Sequence, residues 1–114
     1  MAISVSDVLA AVRPELSDEV APYRWADSLL VRLTGNAQRE LYRRHPESAY
    51  TDAAIVTTEP AFPTAIGSAL GVRDFYLEAL AHYVCWQALM QDSEDAQNKA
   101  LAAAHLARWQ ELVV

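Results

Sequence analysis

With 114 residues, 53% of them hydrophobic and 21% charged, the chain has the length for one domain with a modest core and lies outside the disordered class. Its net charge of −6 argues against a non-specific hold on nucleic-acid phosphates, which takes a basic face. A single cysteine, Cys85, excludes an intrachain disulfide, and the longest uncharged runs, Ala79–Gln91 and Pro60–Val72, are too short to span a bilayer.

The N-terminal stretch MAISVSDVLAAV has no basic n-region and carries Asp7 where a secretory core would be apolar, so it is not expected to be a signal peptide, and the protein reads as soluble and made in the cytoplasm. A first helix is predicted over about 6–13, with Ser6 as its cap and Val8, Leu9 and Val12 as its apolar stripe. Pro14 ends or kinks it, and the acidic stretch Glu15–Glu19 with Pro22 reads as loop.

A second helix is predicted over 25–44. Its stripe is Trp25, Leu29, Leu33, Ala37 and Leu41, flanked by Leu30 and Tyr42, and Pro46 stops it. Gly35 inside this pattern costs about 1 kcal/mol relative to alanine and marks either a close helix crossing or a kink. Residues 50–72 change character. Ala54–Thr58 is β-branched and predicts a short strand, alone or in a hairpin with Phe62–Ile66, among Pro60, Pro63, Gly67 and Gly71.

A third helix, 74–91, is apolar nearly all round and belongs at the centre of the domain. The acidic turn QDSED, with Ser93 as cap, leads to a fourth helix over 94–112. Its stripe is Ala102, Leu106, Trp109 and Val113, with His105 off the stripe and solvated. The last two helices form an antiparallel hairpin. The fold class is therefore mainly α, a four-helix bundle-like single domain over 1–114 with a short extended or hairpin segment between the second and third helices.

Catalytic and metal chemistry find little support. Glu78, His82 and Cys85 share one side of the third helix, but a structural zinc site normally needs four ligands, and no motif supplies the fourth. His82 reads as a core histidine beside a rim carboxylate. Cys85 lies among aromatic and aliphatic neighbours, as a small buried hydrophobe rather than a nucleophile. No enzyme activity and no cofactor is expected.

The basic cluster Arg39, Arg43, Arg44 and His45 closes the second helix, where positive charge suits the helix dipole. It also suits pairing with carboxylates of a neighbouring copy, and Asp18–Glu19, Asp92, Glu94 and Asp95 could supply them. Trp109 reads either as core packing or as an interface anchor.

Three segments, in this order and spacing, resemble the head-tail connector or adaptor family of tailed bacteriophages. They are ISVSDVLAAVRPELSDE, RWADSLLVRLTGNAQRELYRRHPES and DFYLEALAHYVCWQALMQDSEDAQNKALAAAHLARWQELV. Many members carry a longer insertion where this chain has only Tyr50–Val72. The resemblance implies a structural virion protein of the neck, made in the host cytoplasm. It implies assembly on the phage portal protein as a homo-oligomeric ring, usually of twelve copies, which receives the stopper or tail-completion protein. DNA would pass through the channel without specific binding, helped by the acidic charge, and no membrane is involved. By the same likeness Glu94–Val114 would face the portal and Tyr50–Val72 the next component. The alternative is a small helical regulator of the repressor or antitoxin kind, with Arg39–Arg44 ending a recognition helix.

Overall fold

Ser4 starts the first helix. Its backbone N–H donates to the Asp7 carboxylate at 2.9 Å, and its hydroxyl lies 3.2 Å from the same oxygen, so an orphan donor of the helix end is satisfied locally. The cap is thus Ser4 and not Ser6, because Asp7 stands three residues after it. The computed structural model describes residues 2–16, 18, 25–51, 54–55, 59–91 and 96–113.

The elements run β1 (Ala2–Ser4), α1 (Val5–Glu15), α2 (Asp27–Arg44), a 3₁₀ turn (Pro46–Ser48), β2 (Tyr50–Thr51), β3 (Ala54–Ile55), β4 (Ala69–Arg73), a second 3₁₀ turn (Asp74–Tyr76), α3 (Leu77–Met90) and α4 (Ala96–Leu112). The protein is mainly helical. No helix among the described residues is long and apolar enough to cross a membrane.

Helix α1 buries Val5, Val8, Leu9 and Val12 and tolerates Pro14 inside its last turn. The carbonyl that loses its partner belongs to Ala10, which is exposed, so the proline does not end the helix at Arg13 as expected. Helix α2 begins at Asp27, whose charge suits the helix N-terminus; Trp25 lies before it, buried. The predicted stripe holds at Leu33, Ala37 and Leu41, while Leu29 is only half-buried.

The buried face of α2 is wider than predicted and takes in two polar residues. Thr34 donates its hydroxyl to the Leu30 carbonyl at 2.8 Å. Gln38 is a clamp: its amide nitrogen donates to the Ala61 carbonyl at 3.1 Å, and its oxygen accepts the Gly71 N–H at 2.8 Å. One side chain therefore fixes both the chain after β3 and strand β4 to the helix.

The strands differ from expectation. The local hairpin joins β2 to β3 through Tyr50–Ile55 and Thr51–Ala54, and Phe62–Ile66 is not a strand. Pro60 just before it and Pro63 within it remove ladder donors. The stronger pairing is long-range: β1 runs antiparallel to β4, with Ala2 opposite Arg73 and Ser4 opposite Ala69 across an irregular register. The pairing continues past the strand, with Val5 N–H donating to the Ser68 carbonyl at 3.0 Å and Ser6 N–H to the Ile66 carbonyl at 2.9 Å. An Ala49–Val72 bridge brings the two sheets together.

Two glycines make room for this middle segment. A Cβ on Gly35 would come within 2.4 Å of the Phe62 ring, so Gly35 receives an aromatic ring and not a crossing helix. A Cβ on Gly71 would lie 2.7 Å from Pro60 Cβ. The surface Phe62 ring can swing aside, and alanine at 35 gains about 1 kcal/mol of helix propensity. The proline ring cannot swing. Gly71→Ala is therefore expected to lose about 1–3 kcal/mol by overpacking, and Gly35→Ala distinctly less. Urea denaturation of both variants checks this, and a harmless Gly71→Ala would refute the packing argument.

Helix α3 occupies the centre, touching α1, α2 and α4. It begins at Leu77 rather than 74, since Asp74–Tyr76 forms the 3₁₀ turn, and there Phe75 is 78% exposed. Helix α4 runs back along α3, as the His82–His105 and Glu78–Arg108 contacts require. Ala102, Trp109 and Val113 are buried on it, and Leu106 is half-buried. The expected acidic turn, with Asp92, Ser93, Glu94 and Asp95, lies outside the described residues.

Candidate docking surface

Helical geometry divides the basic cluster at the end of α2. Residues 39 and 43 are one turn apart and share a face, whereas 44 is rotated about 100° from 43. Arg39 lies over the Phe62 ring, 4.9 Å from its centroid, and its Nε is 3.9 Å from Glu59. It is therefore engaged in holding the middle segment. Arg43 pairs with Glu40 one turn back at 3.1 Å, an exposed ion pair of small energetic weight. Arg44 is exposed and meets no carboxylate among the described residues.

His45 ends the helix in another way than by a dipole interaction alone. Its N–H closes the last turn on the Leu41 carbonyl at 2.8 Å, while Nε2 contacts the Val113 carbonyl and Nδ1 lies 3.0 Å from Glu47. The end of α4 is thereby tied to the end of α2. The Glu47 carboxyl is held below its ordinary range first by its own backbone N–H and then by the His45 ring.

Arg44 stands at the lip of a groove of about 360 Å³ between α2 and the α3–α4 hairpin. Tyr83, Trp86, Leu106 and Trp109 line its apolar part, and Glu40 and Gln110 its polar edge. The rings pack edge to face, with Tyr83 5.3 Å from Trp86 and 5.0 Å from Trp109 between centroids. Burial, and then the nearby Glu40 charge, push the Tyr83 phenol upward. A groove with an apolar floor and a cationic lip suits a chain that offers an apolar side chain beside a carboxylate.

Of the sequence candidates, the structure brings Arg44 and Trp109 to this groove and leaves Arg39 and Arg43 on the neighbouring face. Trp109 is only 2% exposed, so it is a core residue forming the groove floor and not a free anchor. Asp92, Glu94 and Asp95 lie outside the described residues. The groove also takes in Trp86, Leu106 and Gln110, which the sequence marks only through Trp86 standing three residues after Tyr83 on one helix.

The other chemistry resolves into packing. Cys85 is fully buried, its Sγ 4.0 Å from the Val12 carbonyl, and burial pushes its thiol up to about 12. His82 lies beside the rim carboxylate Glu78 as expected, with Nε2 3.6 Å from it. His105 is 9% exposed and faces His82, which corrects its placement in solvent. Among the described residues no three His, Cys, Asp or Glu side chains converge as metal ligands. No family profile, curated protein or solved structure matches the chain.

Proposed function

We propose that the protein is a structural adaptor of the tailed-phage neck, assembling as a ring on the portal and receiving the stopper or tail-completion protein. The observation that carries this reading is the order of its parts. The three segments resembling the connector family fall on β1–α1, on α2, and on the α3–α4 hairpin, and strands occupy the interval between α2 and α3. The Arg44 groove supports it independently. In a chain of net charge −6, a cationic lip beside an aromatic floor complements the carboxylates of another copy.

The direct test mixes the purified protein with portal rings and images them by electron microscopy. Added density below the portal is expected, and its absence would overturn the reading. If the regulator alternative holds instead, the protein will be retained on a DNA column at low salt, whereas an adaptor flows through.

A second expectation concerns self-association. The double substitution Arg43→Glu and Arg44→Glu should weaken ring formation by about tenfold or more through like-charge repulsion at the interface. Subunit stability should change by only a few tenths of a kcal/mol, as both side chains are exposed. Sedimentation velocity at matched concentrations reads the first and urea denaturation the second. Unaltered assembly would remove the arginine lip from the interface.

A further inference from the structure

The middle of the α3–α4 seam holds two imidazoles face to face. Nδ1 of His82 and Nδ1 of His105 lie 2.9 Å apart, with ring centroids at 5.1 Å and a tilt of 37°. A contact of that length needs one proton between the two nitrogens, one ring donating and the other accepting. With a proton on each Nδ1, two N–H groups would point at one another, and the contact could not persist. The arrangement tolerates one proton at the facing positions and rejects the second.

We propose that the His82–His105 pair is a proton-operated latch that ties α4 to α3 when it shares one proton and releases the seam when both imidazoles become charged. The surroundings favour such behaviour. His105 is buried against the hairpin, whereas His82 reaches the surface, so the second proton has an entry route. From α3, Glu78 faces Nε2 of His82 and steadies charge on that ring. From α4, Arg108 reaches the same Glu78 at 3.3 Å and Glu111 at 2.9 Å, which limits that support. From α1, Glu15 favours charge on His105, and Cys85 on α3 contributes none as a protonated thiol.

Burial first, and then the His82 charge, hold His105 below its ordinary 6.5 in the folded chain. The sign follows. The unfolded chain binds the proton more readily, so the folded state is favoured most above pH 6.5 and loses stability as pH falls below it. The loss is complete once pH passes below the folded-state value. The released element is α4, whose far end is held by the His45 contact to Val113.

Histidine-labelled full-length protein, titrated by NMR between pH 8 and 4.5, tests the proposal. His105 is expected to take its proton below 6.5, and that titration should move when His82 is replaced. Amide exchange along α4, corrected for intrinsic rate, should accelerate over the same range. His82→Gln keeps a hydrogen-bonding group and removes one charge, so its Tm should fall about 4 °C less than that of the parent between pH 7.5 and 5. A His105 ring that titrates at its ordinary value, unmoved by His82→Gln, would overturn the latch. So would an α4 exchange profile that keeps its full pH dependence in His82→Gln. Should that variant fail to fold, the parent titration alone decides.

Discussion

Arg13→Ala is expected to lower the unfolding free energy by about 3–5 kcal/mol, because it removes one partner of a buried ion pair. Arg13 is held between the end of α1 and the start of α2. Its Nη1 donates to Asp18 at 2.7 Å and to the Trp25 carbonyl at 3.2 Å, and Nη2 contacts Asp27. The Arg13 and Asp18 side chains are only 10% and 6% exposed. Trp25 closes the arrangement: its backbone N–H donates to Asp18 at 3.1 Å, and its indole N–H donates to the Ala88 carbonyl at 2.9 Å. One guanidinium thus organises the junction of three helices. Without it, Asp18 loses a charge-assisted bond in a buried site. Asp18→Ala should be milder, since Asp27 is half-exposed and still receives the guanidinium. The double replacement Arg13→Met with Asp18→Leu should recover much of the loss, as an apolar pair has no charge to desolvate. Urea unfolding followed by circular dichroism measures all three. An Arg13→Ala loss below about 1 kcal/mol would mean that the carboxylate is solvated or repaired locally.

That junction was not legible in the sequence, for a physical reason. Arg13 before a proline and an acidic run reads as a solvated helix end, and nothing local says that Asp18 folds back beneath Trp25. The helices were legible because burial repeats along them: Val8, Leu9 and Val12 on α1, and Leu33, Ala37 and Leu41 on α2, are buried as their spacing requires. Strand β1 was not. Three residues carry no usable alternation, and their partner β4 lies on the far side of two helices and a hairpin. Gln38 carries no sequence signal of its role, because a polar residue on an apolar face looks like a break in the stripe. Its two hydrogen bonds to the middle segment make it part of the core.

The candidate surface was half legible. Three arginines within six residues look like one patch in a linear string, but the helix turns Arg44 away from Arg39 and Arg43. Only the packing of α3 and α4 beside α2 shows that Arg44 overlooks a groove. The misplacement of His105 has a similar origin. Apolar spacing alone runs through Ala102, Leu106, Trp109 and Val113, yet among the described residues the buried ones along α4 and just past its end are Asn98, Ala102, His105, Trp109 and Val113. That is a 4-3-4-4 spacing, the seam of a helix packed closely along a neighbour, and it includes the histidine.

The same seam decides the role of Trp109. Trp109→Ala is expected to destabilise the isolated subunit by about 3–5 kcal/mol, with a fall in Tm of roughly 10 °C or more. At 2% exposure its indole fills the space between α4 and α3 and meets the Tyr83 ring edge to face at 5.0 Å. Truncation removes that contact and opens a cavity that neighbouring helices close only in part. Trp109→Phe should keep an aromatic partner for Tyr83 and lose less than half as much. An interface anchor would behave in the opposite way. Its truncation would leave the dilute subunit as stable as the parent and weaken only assembly. Measuring thermal unfolding at a concentration where sedimentation shows single subunits separates the two. A stable Trp109→Ala subunit with impaired association would return Trp109 to the interface. A destabilised one leaves the groove's partner to read Arg44, Gln110, Trp86 and Leu106, members of that surface still open to solvent.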